Sequence, residues 1–481
     1  MTDHIRFILN GRLCEVSGLA PTMTLLQYLR GPARLCGTKE GCAEGDCGAC
    51  TVMVARLEKD GSAHYRSINA CIALLPSLDG RQIVTVEHLR SLSGGALHPV
   101  QQAMVDCHAS QCGFCTPGFV MALTNELHNN PKADDTAIHD AISGNLCRCT
   151  GYRPILDAAR RAKDMPRVDI PADAAGLQAI TRGKMFVYET AEGKFFAPVT
   201  AAELADILAQ YPNAYMLSGG TDVGLWVTKF HMDLPVIVYT GNIAGLRDVT
   251  ETEEGLEIGA AVTYSEGFAA LARQGAGMED LLRRIGSVHI RNAGTIGGNI
   301  ANGSPIGDGP PPFIALQADI VLRSAAGTRR MPLEKYFLAY KKQDRLPGEF
   351  LERIIVPKRA ANTLFATYKV SKRFDQDISA VCAGFALDID GGIIRAARLC
   401  YGGMAATPKR AAAAEAALTG QPWTREAVIA AVAAMDADFS PLSDMRASAA
   451  YRQNVAKNLL KRFFIETTMP QVKTGVYRHA G

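Results

Sequence analysis

Short runs in which apolar and polar residues alternate make up the first part of the chain. Ile5–Leu9 and Arg12–Val16 alternate in this way and flank an Asn-Gly pair, which is typical of a tight hairpin turn. Residues 51–54 and 81–86 predict two further strands, and 24–30 predicts a short helix that ends near a Gly-Pro pair. The pattern therefore predicts a small mixed sheet crossed by one helix.

From Pro99 onwards the spacing of apolar residues becomes helical. The predicted helices cover residues 99–109, 117–127, 134–142 and 154–162. Three of them begin with proline, which is tolerated in the first turn because that amide has no helical partner. Each pair of helices is joined by a segment that contains two cysteines, so two helical hairpins can bring four thiols together.

Residues 165–183 lack periodicity and predict a linker. Beyond them, strand and helix patterns alternate, with a strand at 215–217 followed by a helical segment at 223–229. From about residue 360, strands at 380–387 and 396–401 precede alanine-rich helices that start at Lys409 and Arg425. The whole pattern predicts an α+β protein of several domains.

Composition narrows the class of protein. The chain has 481 residues, with 48% hydrophobic and 21% charged residues, which is ordinary for a globular protein of about three domains. A net charge of +3 gives no reason to expect nucleic acid as a partner. The amino terminus carries early charge without an apolar stretch, and no apolar run reaches membrane-spanning length. We expect a soluble, cytoplasmic protein with neither nucleic acid nor membrane as a partner.

Cysteine is concentrated in one part of the chain, with eleven of the thirteen in the first 150 residues. Cys42, Cys47 and Cys50 have C-x4-C-x2-C spacing among glycines, and Cys71 follows a strand. This is the spacing of a plant-type [2Fe–2S] cluster, in which four thiolates hold two irons. Four cysteines also suit structural zinc, but zinc sites usually have two C-x2-C pairs and this one has a single pair. The pattern favours iron and sulfur.

A second set of four cysteines lies in the helical region. Cys112 and Cys115 form a C-x2-C pair, and Cys147 and Cys149 form a C-x-C pair. No histidine alternates with these cysteines, as a Rieske centre would require. The set predicts a second cluster. The other cysteines fit no ligand spacing and are interpreted as small buried apolar residues; they are Cys14, Cys36, Cys107, Cys382 and Cys400.

Two glycine-rich turns occur in the alternating region, at residues 217–223 and 294–305. Glycine allows backbone amides to approach phosphate oxygens closely, although either turn by itself is more simply a surface turn. Neither turn is G-x-G-x-x-G, and the chain has no Walker A sequence. Two such turns in a chain with two predicted clusters favour a dinucleotide such as FAD.

Taken together, these segments resemble the iron–sulfur/FAD subunits of the molybdenum-containing xanthine dehydrogenase family, over essentially the whole length. The matching segments are 41–50, 111–118, 144–154 and the two glycine turns. The resemblance implies a plant-ferredoxin-like β-grasp domain at 1–90 and a four-helix [2Fe–2S] domain at 91–164. After the 165–183 linker, it implies an α+β FAD-binding domain at 184–358 and a small α/β carboxy-terminal domain at 359–481.

The resemblance also implies roles for individual residues. Gln111 matches a residue that touches the molybdenum cofactor's pterin, and residues 371–377 match a loop beside the flavin where nicotinamide docks. The implied FAD contacts are Leu217, Ser218, Gly219, Gly220, Thr221, Asp222, Val223, Ile285, Thr295, Ile296, Gly297, Gly298, Asn299, Asp308, Leu351 and Lys369. Ile285 departs from the family, whose members often have an aromatic residue there; an aliphatic side chain can still cover the ring face, without the aromatic stacking.

The implied activity is oxidation of hypoxanthine and xanthine to urate at a molybdenum cofactor on a partner subunit. Electrons would pass through two [2Fe–2S] clusters to FAD and then to NAD⁺, with the amino-terminal cluster nearer the flavin. No side chain of this chain would act as a nucleophile or base, because the cofactors carry the chemistry. We expect a large molybdenum-binding subunit as partner, in a heterotetramer with two of each chain.

Two alternatives stay open at this point. A related molybdenum hydroxylase that oxidises an aldehyde or an N-heterocycle would use the same kind of electron-transfer subunit. Fusion of cluster and flavin regions in one chain favours the xanthine type, since relatives such as carbon monoxide dehydrogenase keep them separate. The second alternative is a cluster-bearing sensor or interaction protein without turnover, against which the flavin turns argue.

Overall fold

The computed structural model describes residues 4–475. The strands are β1 Ile5–Leu9, β2 Arg12–Val16, β3 Thr51–Leu57, β4 Ala63–Asn69, β5 Gln82–Val84, β6 Phe186–Thr190, β7 Gly193–Ala197, β8 Tyr215–Leu217, β9 Val236–Tyr239, β10 Val249–Glu251, β11 Gly255–Gly259, β12 Asp319–Ser324, β13 Gly327–Pro332, β14 Phe337–Ala339, β15 Lys342–Gln343, β16 Phe350–Pro357, β17 Thr363–Val370, β18 Val381–Asp390, β19 Ile393–Gly402 and β20 Lys409–Arg410.

The helices are α1 Leu25–Arg30, α2 Val86–Leu92, α3 Pro99–Asp106, α4 Thr116–Asn129, α5 Asp135–Ile142, α6 Arg153–Lys163, α7 Ala174–Ile180, α8 Ala201–Gln210, α9 Val223–Thr228, α10 Tyr264–Ala272, α11 Met278–Arg283, α12 Val288–Ala293, α13 Ile296–Ala301, α14 Pro310–Ala315, α15 Ala412–Leu418, α16 Arg425–Asp438 and α17 Ala449–Thr468. Single 3-10 turns occur at Leu75–Leu78, Ala244–Arg247 and Leu333–Lys335.

The chain forms two compact units, and both are discontinuous in sequence. The first contains the chain up to Gly245 together with Thr263–Ser265 and Gly286–Thr295. The second contains Leu246–Val262, Glu266–Ile285 and the chain from Ile296. The second glycine turn therefore begins in the first unit and continues in the second.

The first unit contains two sheets. One is a five-stranded sheet of order β2-β1-β5-β3-β4, mixed because β1 pairs with β5 in parallel and with β2 antiparallel. The other is a four-stranded sheet of order β6-β7-β9-β8. One apolar core joins the two sheets, with Phe7 and Val52 from the first beside Phe195 and Ile237 from the second. The predicted small mixed sheet is thus present, and β4 is a strand that the sequence pattern did not reveal.

The four helices α3 to α6 pack together as a bundle within the first unit. The predicted amphipathic spacing places Phe119 and Leu123 of α4 in one core with Met53 and Ala55 of β3. Asp134 caps α5 by accepting a hydrogen bond from the Ala137 amide at 2.8 Å. The cysteine-containing segments between these helices are therefore held at the ends of a packed bundle.

The segment for which the sequence predicts a linker contains helix α7. Asp173 caps this helix, since its carboxylate accepts a hydrogen bond from the Gly176 amide at 2.8 Å. Leu177 and Ile180 are buried. The apolar pair was too short to produce a visible helical period, which is why the pattern indicated an irregular segment.

The second unit contains two antiparallel sheets, of order β10-β11-β16-β12-β13 and β17-β18-β19-β20, and a β14-β15 hairpin. Helices α15 to α17 pack in one core with the second of these sheets. The predicted helix from Lys409 begins instead at Ala412, because Lys409 and Arg410 pair with Tyr401 and Cys400 as a short strand.

The α+β multidomain fold class is confirmed. None of the helices in residues 4–475 combines the length and apolar character needed to cross a membrane. The interpretation of the amino terminus and the end of the predicted 359–481 domain fall partly on residues 1–3 and 476–481, which lie outside the described residues.

Candidate metal centres

The first cysteine site consists of Cys42, Cys47, Cys50 and Cys71. The Cys42 thiol lies within hydrogen-bonding reach of the Cys47 and Cys71 thiols, and Cys71 is equally close to Cys50. Cys50 and Cys71 are buried, with 1% and 3% of their surface exposed. The structure therefore brings four thiols from a loop and a strand end close together.

Backbone amides point at the first cysteine site. The amides of Glu44, Asp46 and Cys47 approach the Cys42 sulfur at 3.4, 3.3 and 3.3 Å. The loop curls in this way because Ala43 and Gly45 have φ of 54° and 78°. The Cys47 and Cys71 thiols, with the amides of the loop, hold the pKa of Cys42 below its ordinary value. The three amides thus stabilise negative charge on the Cys42 sulfur, whereas the contacts among the thiols raise the pKa of Cys47 and of Cys71.

The donor set fits a two-iron cluster. Each iron of a [2Fe–2S] cluster takes two cysteine thiolates, so four thiols need not converge on one point. Residues 4–475 contain no group of three His, Cys, Asp or Glu side chains placed to hold a single metal ion.

The second cysteine site consists of Cys112, Cys115, Cys147 and Cys149. Cys115 is the amino-terminal cap of α4, and its thiol is near Cys147, while Cys112 is near Cys149. Burial raises the pKa of Cys115 to about 12. Burial also acts to raise the pKa of Cys147. Hydrogen bonds from the Thr150 hydroxyl and amide outweigh this effect, and the pKa of Cys147 is lowered. Two thiol pairs from the two helical elbows thus face each other.

The second cysteine site lies at the surface. Cys112 and Cys149 are exposed. The apolar side chains of Phe114 and Leu146 beside them are 48% and 38% exposed. This exposure is the main contrast with the first cysteine site.

The two cysteine sites are joined directly. The Leu146 amide, next to Cys147, donates a hydrogen bond of 3.0 Å to the carbonyl of Cys47. Gly48 has φ of 65°, and a β-carbon there would overlap the carbonyl oxygen of Gly144. A β-carbon at Gly118 would in turn overlap the Gly48 carbonyl. Two glycines, Gly48 and Gly118, therefore allow the backbones of the two sites to touch.

The first glycine turn, residues 217–223, follows β8 and leads into α9. Gly220 has φ of 74°, and a β-carbon at Gly219 would overlap the carbonyl of Ala293. The start of the second glycine turn therefore packs against the first. The Ser218 hydroxyl oxygen is buried and has no hydrogen-bond partner among the described residues. A glycine turn that leads into a helix and holds a buried, unpartnered hydroxyl fits a phosphate-bearing ligand.

The first cysteine site also touches the first glycine turn. Ile72, which follows Cys71, places its carbonyl oxygen 3.1 Å from where a Gly220 β-carbon would lie and 2.6 Å from the equivalent point at Gly224. On the other side, a β-carbon at Gly45 would lie 2.6 Å from the Ile72 side chain and 3.1 Å from that of Ile290. Within the first unit, the first cysteine site thus contacts the second cysteine site through its loop and the first glycine turn through Ile72.

Apart from Thr295, which belongs to the first unit, the other predicted flavin residues lie in the second unit. Asp308 and Lys369 form a buried ion pair of 2.5 Å, and the Ser379 hydroxyl donates to the second carboxylate oxygen at 2.6 Å. Ile285 and Leu351 are buried. Ile296–Ala301 forms α13, and the Asn299 side chain accepts a hydrogen bond from the Gly309 amide at 3.2 Å.

Sequence reasoning missed several residues around these sites. Arg284 is buried and donates to the Lys369 carbonyl and the Ser371 hydroxyl at 2.9 and 3.0 Å, which holds the loop at 371–377. Ser379 was missed because a lone serine carries no motif. The adjacent Arg283-Arg284 pair was a visible signal, but an isolated basic pair usually lies in solvent.

One interpretation of the remaining cysteines is wrong. Cys382 and Cys400 are buried, as predicted, but Cys36 is exposed, and Cys14 and Cys107 are only partly buried. Cys36 lies in the loop before the first cysteine site, where the chain has no regular structure to cover it.

Four known domain families match this chain in sequence. Residues 7–76 match the 2Fe-2S iron-sulfur cluster binding domain, and 85–160 match the [2Fe-2S] binding domain. Residues 189–359 match the FAD binding domain in molybdopterin dehydrogenase, and 366–467 match the CO dehydrogenase flavoprotein C-terminal domain. These domains define an iron–sulfur flavoprotein of the electron-transfer class. Its cofactors include [2Fe–2S] clusters and FAD.

Similar proteins identify the family. Xanthine dehydrogenase of Emericella nidulans is 32% identical over 96% of this chain and 38% of its own length. Aldehyde oxidase 1 of Bos taurus is 31% identical over 97% of this chain and 39% of its own length. A solved chain of carbon monoxide dehydrogenase from Hydrogenophaga pseudoflava is 30% identical, with a TM-score of 0.53, over 56% of this chain and 94% of that one.

The chain belongs to the molybdenum hydroxylase family, as an oxidoreductase component that carries iron–sulfur and FAD electron-transfer domains. It spans about two fifths of the length of the curated relatives described above.

Proposed function

We propose that this chain is the iron–sulfur/FAD subunit of a xanthine dehydrogenase that carries electrons from a molybdenum centre to NAD⁺. The observation that carries the proposal is the position of the first cysteine site, which touches the second cysteine site through Cys47 and the first glycine turn through Ile72, the residue after Cys71. Direct contact between the two cysteine sites and the glycine turn suits a protein that passes electrons from one cofactor to the next. When bound, the clusters supply one-electron carriers, and FAD supplies the link to two-electron chemistry.

The proposed ligands follow the two cysteine sites. Cys42, Cys47, Cys50 and Cys71 would hold one [2Fe–2S] cluster, and amides of the loop stabilise their charge. Cys112, Cys115, Cys147 and Cys149 would hold the other, with Thr150 as a hydrogen-bond donor. The protein's work here is to fix the thiolates and to exclude water from the first of the two sites.

For FAD, the amides of Gly219 and Gly220 and the Ser218 hydroxyl would bind phosphate oxygens. Lys369, held by Asp308, would supply a fixed positive charge toward the flavin. The remaining proposed contacts are Leu217, Thr221, Asp222, Val223, Ile285, Thr295, Ile296, Gly297, Gly298, Asn299 and Leu351. The Ser371–Asp377 loop, clamped by Arg284, would receive the nicotinamide ring of NAD⁺.

The domain division that accompanies this proposal is 1–90, 91–164, a linker at 165–183, 184–358 and 359–481. The proposed partner is a molybdenum-cofactor-binding subunit, in a cytoplasmic assembly with two copies of each chain. Gln111 and the exposed Phe114 and Leu146 would face that partner, because they surround the exposed cysteine site.

The second candidate function is the same electron-transfer role for an aldehyde or an N-heterocycle. The 31% identity with aldehyde oxidase 1 of Bos taurus favours keeping it. Substrate contacts would lie with the molybdenum cofactor in either case, so the partner decides between them. A sensor without turnover is disfavoured by the FAD-binding domain match.

The first prediction separates the flavin from the molybdenum centre. The chain purified alone should oxidise NADH with an artificial electron acceptor and show no xanthine oxidation. Adding the molybdenum subunit should restore xanthine-dependent NAD⁺ reduction. Cys115→Ser should abolish that transfer while sparing NADH oxidation, because it interrupts the route and leaves the flavin end intact. An undiminished xanthine rate in Cys115→Ser would overturn the assignment.

The second prediction concerns the first glycine turn. Gly220→Val should remove most bound FAD, because a β-branched residue is strained at φ of 74° and would press on the Ile72 carbonyl. Gly183→Val is the matched control, since no atom lies within 4 Å of its β-carbon position. FAD released by acid and measured per chain gives the readout. Full FAD content in Gly220→Val would show that the turn is not the binding site.

A further inference from the structure

A buried hydrogen-bond network surrounds the carbonyl group of Gly48, between Cys47 and Cys50 of the first cysteine site. Its members are Thr51, Asn145 and His289, which we call the Gly48 network. With 2%, 2% and 0% exposure they are cut off from solvent. We propose that the Gly48 network sets the reduction potential of the first iron–sulfur cluster by polarising the peptide group between Gly48 and Ala49. The inference rests on the proposed ligand set of that cluster.

Three donors converge on one carbonyl oxygen. The Gly48 oxygen accepts hydrogen bonds from the Thr51 amide at 3.1 Å, the Thr51 hydroxyl at 2.6 Å and the Asn145 side-chain amide at 2.9 Å. A carbonyl oxygen has two lone pairs, so this one is unusually well supplied with donors. In a buried setting such bonds are electrostatically strong and reinforce one another.

Counting hydrogens fixes the direction of the network. The single hydroxyl hydrogen of Thr51 is used toward Gly48, so the Thr51 oxygen must accept in its other contacts. These are with the Asn145 side-chain amide at 3.2 Å and the Nε2 atom of His289 at 3.2 Å. His289 therefore carries its proton on Nε2 and donates it. The hydrogen bonds therefore all point the same way. His289 and Asn145 donate to the Thr51 oxygen, and Thr51 and Asn145 donate to the Gly48 carbonyl.

The polarised peptide group lies next to a cysteine of the first site. The same peptide group that has the Gly48 carbonyl at one end has the Ala49 amide at the other, and that amide lies within reach of the Cys47 sulfur. Withdrawing electron density from a carbonyl makes the attached N–H a stronger donor. Reduction of a cluster adds one electron, and part of that charge is carried by the cysteine sulfurs. A stronger donor to sulfur therefore favours the reduced cluster and raises its potential.

Packing alone does not explain the network. Valine has nearly the same shape as threonine and would fill the buried space at position 51. The polar residues also leave two buried atoms, His289 Nδ1 and Asn145 Oδ1, without hydrogen-bond partners among the described residues. Buried unpartnered atoms cost stability. The fold thus keeps polar side chains at these positions although they lower its stability, which indicates that they act on the electrostatics of the first cysteine site.

The test uses the full chain with its clusters and a redox titration followed by electron paramagnetic resonance. In Thr51→Val we expect the reduced-to-oxidised ratio of the first cluster at a fixed applied potential to fall about tenfold. This corresponds to a reduction potential lowered by about 59 mV for a one-electron couple. The second cluster should keep its potential. Thr51→Ser keeps the hydroxyl and should stay close to the unaltered chain.

His289 provides a second variant that lies one residue further from the thiols. His289→Leu removes one donor to the Thr51 oxygen and should shift the potential in the same direction by less, while His289→Gln keeps a donor and should restore it. An unchanged potential in Thr51→Val with full iron content would overturn the inference. Should Thr51→Val fail to assemble the first cluster, an unchanged potential in His289→Leu would overturn it equally.

The outcomes separate this inference from the proposed function. An unaltered chain that gives only one [2Fe–2S] signal, or none, refutes the proposed cluster ligands. Two signals with potentials that do not respond to Thr51 or His289 refute the Gly48 network and leave the ligands standing.

Discussion

The two cysteine sites have the same number of thiols and opposite surroundings. In the first, Cys50 and Cys71 are almost completely buried, and three loop amides point at Cys42. In the second, Cys112 and Cys149 are exposed, and Thr150 supplies the hydrogen bonds to Cys147. Buried charge must be balanced by fixed dipoles, whereas water can solvate exposed charge. The fold therefore supplies three backbone donors at the more buried site, whereas at the surface site Thr150 supplies the donors and water can reach Cys112 and Cys149.

The largest expected effect comes from removing one thiol at each site. Cys71→Ser and Cys149→Ser should each lose one cluster, about half of the roughly four irons expected per chain. Only Cys71→Ser should also lower the thermal unfolding midpoint strongly, because it disturbs a buried core where cluster binding is coupled to folding. Iron analysis and calorimetry measure the two effects.

An equal fall in unfolding temperature for both cysteine variants would contradict the contrast in burial. Cys400→Ser is a useful reference for the stability effect alone, because Cys400 is fully buried and belongs to neither site. It should keep all of the iron.

A smaller effect is expected from the glycine within each C-x2-C pair. Gly48 and Gly113 both have positive φ, of 65° and 83°. A β-carbon at Gly48 would overlap Gly144, whereas none of the atoms lies within 4 Å of that position at Gly113. Gly48→Ala should therefore cost about 4 kcal/mol through strain and overpacking, and Gly113→Ala about 1 kcal/mol through strain alone.

Denaturant unfolding of the two alanine variants measures this difference. Equal costs would mean that the two cysteine sites are not packed backbone to backbone at Gly48.

The smallest expected effect is a pH dependence confined to the first site. Complete burial, with the nearby Arg291 charge adding to it, lowers the pKa of His289 from 6.5 to about 4. The unfolded chain then binds this proton more tightly than the folded one. Keeping His289 neutral therefore contributes to the free energy of unfolding in full above pH 6.5, and this contribution is lost as the pH falls toward 4. The expected loss between pH 7 and pH 5 is about 2 kcal/mol.

His289→Gln should flatten this loss, which denaturant unfolding at the two pH values would detect. His139→Gln is the matched control at the second site, because His139 is exposed on α5. A loss that persists unchanged in His289→Gln would assign the acid sensitivity to other groups.

Local chemistry was readable from the sequence, and long-range contacts were not. The C-x4-C-x2-C spacing, the prolines at helix starts and the glycine turns each act over a few residues, so the two cysteine sites and their helices could be predicted. Asn145 and Gly48 are 97 residues apart, and Thr51 and His289 are 238 apart. No periodicity couples such positions, since their contact depends on the packing of α12 and of the second elbow.

The roles of single residues could not be predicted either, because they too depend on contacts with distant parts of the chain. Arg284 and Ser379 act on loops and side chains more than 70 residues away. The helix in the predicted linker was a different kind of miss, because the Asp173 cap was a local signal that could have been read.

The interrupted first unit has a consequence for biosynthesis. Its helix α12 lies within Gly286–Thr295, although most of the unit ends at Gly245. During synthesis, at about 5 to 20 residues per second, the ribosome must complete roughly fifty further residues before α12 can emerge. Until then Thr51, Ile72 and Gly219 lack their covering residues. Iron delivered to the nascent chain would meet an incomplete pocket, so we expect cluster insertion at the buried site to wait until the whole unit has left the ribosome.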